Sequence, residues 1–137
     1  MTETIIGDRR FPPALADVSR VAFDYRVFGQ DGTGGLAALW CVRPGLPLAG
    51  QPVVFMGSEG EVGVVAGNLS DFLWVLADGL GPLEAALYPD REARPDAALS
   101  ELALRHAATP HRPAREILAE ARAEFPTFED DLFALCR

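Results

Sequence analysis

Lysine is absent from this 137-residue chain: all twelve basic residues are arginines. With abundant Ala, Gly and Pro, that bias points to a GC-rich bacterial coding sequence and says nothing of mechanism. Between Arg43 and Arg91 there is no base at all, whereas Glu59, Glu61, Asp71, Asp78, Glu84 and Asp90 fall inside the gap. Cysteine is scarce, with only Cys41 and Cys136, too far apart for a local metal or redox motif. Cys41 lies in an apolar run and is expected to be buried. No apolar run approaches membrane-spanning length, and the first ten residues hold no apolar export core. The chain reads as soluble and cytoplasmic, with no membrane partner.

What is present suffices for one ordinary domain spanning residues 1–137, since 49% of the residues are hydrophobic. The formal net charge is −8. Most of it lies in residues 58–90, which hold six acids and no base. Such a balance repels phosphate backbones and argues against nucleic acid as a direct partner.

Pro12 and Pro13 can open a short helix through Ala14, Leu15 and Val18. Alternating β-formers from Val21 to Phe28, a glycine-rich turn and the apolar run Leu36 to Val42 predict a first hairpin. The Pro- and Gly-bearing segment from Arg43 to Pro52 predicts a loop. Val53 to Met56 and Val62 to Ala66 flank Gly57-Ser58-Glu59-Gly60, a tight turn in which either glycine can take positive φ. Asn68 is placed to cap a helix that Gly79 ends, with Asp71 near its positive N-terminal end. Leu69, Phe72, Leu73 and Leu76 predict the stripe of that helix that packs on the sheet. Trp74 is one residue off the stripe and is expected at its margin, partly exposed.

Further helices are expected over Asp96 to Ala107, Pro113 to Phe125 and Phe128 to Cys136. In the last, Thr127 can cap and Glu129, Asp130 and Asp131 favour the helix dipole. The fold class is therefore α+β: an antiparallel sheet of about four to six strands with helices packed on it, and a helical C-terminal third.

Catalytic motifs fail on context. The loop Gly29-Gln30-Asp31-Gly32-Thr33-Gly34-Gly35 suggests phosphate binding, but it lacks the Lys-Ser/Thr pair and leads into a strand rather than a helix. His106 and His111 are the only histidines, and Pro110 between them keeps them off one helical face. They have no further zinc ligands at fitting spacing. Ser58 lacks the Gly-x-Ser-x-Gly spacing of a nucleophile elbow. Glu59 and Glu61 flank a turn with no aromatic sugar platform beside them. The ridge Glu116, Glu120 and Glu124 reads as a solvated helix face. No catalytic residue, cofactor or metal is expected.

Three segments share a pattern: Phe28-Gly-Gln-Asp-Gly-Thr-Gly-Gly-Leu-Ala-Ala-Leu-Trp, Pro52-Val-Val-Phe-Met-Gly-Ser-Glu-Gly-Glu, and Val65-Ala-Gly-Asn-Leu-Ser-Asp-Phe-Leu. Over about residues 22–80 the chain resembles the SUKH superfamily, immunity-protein-like domains related to a fungal cell-wall synthesis regulator. The resemblance implies an α+β binding module without catalysis, of a kind that in bacteria neutralises toxins, often nucleases. The chain departs from that pattern at its amino end, where the expected helix is reduced to Phe11-Pro-Pro-Ala-Leu. The helical part over about 95–137 lies outside the matched span.

The leading expectation is a non-enzymatic protein-binding module of toxin-immunity type. It would present Glu59, Glu61, Asp71, Asp78 and Trp74 to a basic partner, possibly a toxin. Two alternatives stand beside it. One is a small hydrolase or ligand-binding enzyme using His106 or His111 with a carboxylate. The other is an orphan structural domain that homodimerises through the Trp74 margin.

Overall fold

The computed structural model describes residues 25–135. The expected helix after Pro12 and Pro13, the reduced amino-terminal element, the Val21 to Asp24 start of the first strand and Cys136 lie outside them. Four strands, β1 (Tyr25–Gln30), β2 (Leu36–Trp40), β3 (Val53–Met56) and β4 (Val62–Ala66), form one antiparallel sheet in the order β1-β2-β3-β4. Five helices follow: α1 (Leu69–Ala77), α2 (Pro82–Leu87), α3 (Ala97–His106), α4 (Ala114–Glu124) and α5 (Phe128–Leu135). The fold is α+β, as the sequence predicts, with the last helices at the C-terminus.

Side chains alternate across a strand, so a strand buried on both sides must be apolar throughout. β3 is such a strand: Val53 and Phe55 enter one core cluster, and Val54 and Met56 the other. The first cluster takes Phe72 and Val75 of α1, Ala103 of α3, and Ile117 and Leu118 of α4. The second joins Tyr25, Leu36 and Val64 to Ala121, Phe128 and Leu132 of α4 and α5. Trp40 stacks on Tyr25 with ring centroids 6.1 Å apart and meets Phe128 at 5.0 Å. Helix α4 feeds both clusters and lines β4, so the sheet is covered on both faces.

Three local expectations change. Around α1, the wholly buried apolar residues are Phe72, Trp74, Val75 and Ala77, while Leu69, Leu73 and Leu76 pack on the cluster partly exposed. The helix is enclosed on more than its sheet side, because α3 also lies against it, and a single stripe underestimates its burial. Cys41 follows the end of β2 and is half-buried rather than buried. Helix α2 has no counterpart among the expected helices. Its six residues are too few for a periodic signal, and Pro82 sits in its first turn.

The end of α1 is built as the sequence suggests. Asn68 accepts a hydrogen bond from the Asp71 amide at 2.8 Å and caps the helix start. At the other end the Gly79 amide donates to the Leu76 carbonyl and the Leu80 amide to the Val75 carbonyl. This closes a Schellman motif, with Leu80 buried. Gly79 has φ +90°, and a Cβ there would strike the Arg94 carbonyl oxygen. Gly79→Ala is predicted to destabilise the domain by at least about 2 kcal/mol in urea unfolding, through both the left-handed backbone and the clash.

No helix among the described residues is long and apolar enough to cross a membrane.

Candidate functional site

The tip of the β3–β4 hairpin is set by backbone geometry. The Gly57 amide donates to the Glu61 carbonyl at 2.6 Å, and Gly60 takes φ +95°, the conformation an L side chain resists. Ser58 and Glu59 are exposed, and Glu61 is half-buried. The Glu61 carboxylate folds back to accept the Glu59 amide at 3.2 Å. Among the described residues neither glutamate has an ion-pair partner.

A second turn lies beside it. The Ser58 hydroxyl donates to the Thr33 carbonyl at 3.0 Å, tying the β1–β2 turn to the β3–β4 turn. In the β1–β2 turn Asp31 Oδ1 accepts from the Thr33 amide at 2.9 Å, the Thr33 hydroxyl at 2.6 Å and the Gly35 amide at 3.0 Å. Two of the amides that make this loop look like a phosphate cradle are occupied by the chain's own carboxylate, and the Gly34 amide donates to the Asp31 carbonyl at 3.1 Å. Slight desolvation pushes the Asp31 carboxyl upward, but the bonds from Thr33 and Gly35 outweigh it and hold the group below its ordinary value.

The other three candidates turn inward. Asp71 is 3% exposed, Trp74 5% and Asp78 8%. They sit on one side of α1, at i, i+3 and i+7, and all three face the segment joining α3 to α4. Asp71 accepts from the Thr109 hydroxyl at 2.8 Å and from Arg112 at 2.9 Å. Trp74 Nε1 donates to the Thr109 carbonyl at 2.9 Å. Asp78 accepts from the Ala114 amide at 2.7 Å. Ser70, one residue before Asp71, accepts from the Ala108 amide at 2.8 Å. The expected partial exposure of Trp74 is thus corrected: its ring lies under residues 109–111, and a homodimer through its margin has no surface to use. Nor can Asp71 or Asp78 meet a partner while this segment is in place.

Asp78 shows why the arrangement holds. A carboxylate at the last turn of α1 opposes the helix dipole, so its presence there calls for a specific partner. That partner is the start of α4, where Pro113 offers no side-chain cap. One carboxylate thereby links the unfavourable end of one helix to the favourable end of another. The misplaced acid was the sequence signal, although the partner stands 36 residues away.

Arg112 extends the clasp to the surface through a two-pronged contact with Glu120, both distances 3.1 Å. Its hydrogen bond to Glu120 raises the Arg112 pKa above its ordinary value; desolvation opposes the rise and the bond to Asp71 adds to it. The same bond lowers the Glu120 carboxyl below its own. Two acids of the expected solvated ridge are therefore ion-paired, Glu120 with Arg112 and Glu124 with Arg43 at 2.7 Å.

The histidines are placed apart in the chain's architecture. His106 is exposed in the last turn of α3, and His111 follows the helix in the joining segment. The His111 ring meets Trp74 edge-on at 5.0 Å, with Nε2 3.9 Å from Asp78 Oδ1. Among the described residues no three His, Cys, Asp or Glu side chains are grouped to hold a metal ion. An open concavity of about 640 Å³ is lined by Leu87, Tyr88, Pro89, Asp90 and Arg91.

Two predictions follow from this division of the acids. Asp71→Ala should cost about 2–4 kcal/mol and Asp78→Ala about 1–2 kcal/mol in denaturant unfolding, whereas Glu59→Gln should stay within about 0.5 kcal/mol of wild type. The pH dependence has a definite sign. Asp31 and Glu120 have depressed folded-state values, so the stability they add is complete above the unfolded carboxylate range. It is lost as pH falls through the folded values. The urea midpoint should drop between about pH 5 and pH 3, and the Asp31→Asn, Glu120→Gln pair should flatten that drop.

No family model, curated protein or solved structure matches this chain.

Proposed function

We propose that the chain is a non-enzymatic protein-binding module of the toxin-immunity type, akin to the SUKH superfamily. It acts in the cytoplasm on a basic protein partner. The observation that carries this reading is the β3–β4 turn, where an exposed Glu59 and a half-buried Glu61 have no ion-pair partner among the described residues. Of the five residues expected at the partner surface, these two alone remain accessible.

The turn suits a partner better than a substrate. It projects from a sheet packed on both faces and is braced by the Ser58 bond to Thr33. Little conformational freedom is left to lose on binding. Two acids with no ion-pair partner among the described residues attract a cationic surface over several ångströms, which speeds encounter and sets orientation more than it adds affinity. Basic toxins, including nucleases that bind phosphate backbones, offer such a surface.

The test is association kinetics with basic proteins encoded beside the gene. Binding should slow roughly tenfold between about 50 and 300 mM salt. Glu59→Lys with Glu61→Lys should slow it at least as much at low salt while leaving the circular dichroism spectrum unchanged. Salt-independent binding, or full binding by the doubly reversed variant, contradicts the reading.

A further inference from the structure

We draw no further inference here: the strongest candidate, the open concavity that Leu87, Tyr88, Pro89, Asp90 and Arg91 line at the end of α2, sets an acid beside a base and so selects neither an anion nor a cation, and nothing in the structure shows what covers it.

Discussion

The C-terminal third stays on the sheet because α1 grips the segment that joins α3 to α4. Asp71 and Asp78 supply the grip, one through Thr109 and Arg112, the other through the Ala114 amide. Trp74 between them donates to Thr109 and lies against His111. The position of α4 depends on this clasp, and α4 contributes Ile117 and Leu118 to one core and Ala121 to the other. Each carboxylate is buried with partners, which is the condition under which buried charge is tolerated. Removing an acid leaves donors unsatisfied; removing the segment would leave two carboxylates in an apolar setting.

This arrangement divides the acids of the base-free stretch by role. Along α1 negative charge is internal structure. At the β3–β4 turn it faces solvent without a partner among the described residues. Composition alone makes the stretch look like one acidic face, yet the fold retracts its middle and leaves the tip. The two ends of the sheet differ as well: acid sits at one, and at the other lies an uncharged loop held by Gln51 and Arg43.

Much of the fold was legible because its signals are local. Asn68 and Gly79 mark helix ends by chemistry acting over three or four residues, and each serves in the expected place. The strands of the sheet show in β-formers and the turn residues between them. The clasp was not legible, since Thr109 and Arg112 lie 38 and 41 residues from Asp71. Asp71 also has a sufficient local explanation near the start of α1, which hides its distant partners. The burial of Trp74 is hidden for a related reason: a helical stripe records the sheet side of α1 but not the segment that covers its other side. Asp78 alone carried a warning, a carboxylate at the wrong end of a helix dipole.

The clasp is tested most directly by a double-mutant cycle between Asp71 and Arg112, using Asp71→Asn, Arg112→Ala and the pair in urea unfolding at neutral pH. A buried, hydrogen-bonded ion pair that anchors α4 predicts a coupling of about 1–3 kcal/mol, with the double variant little worse than the worse single one. Additive losses, with coupling near zero, would show that the two side chains stabilise the fold independently and would contradict this account.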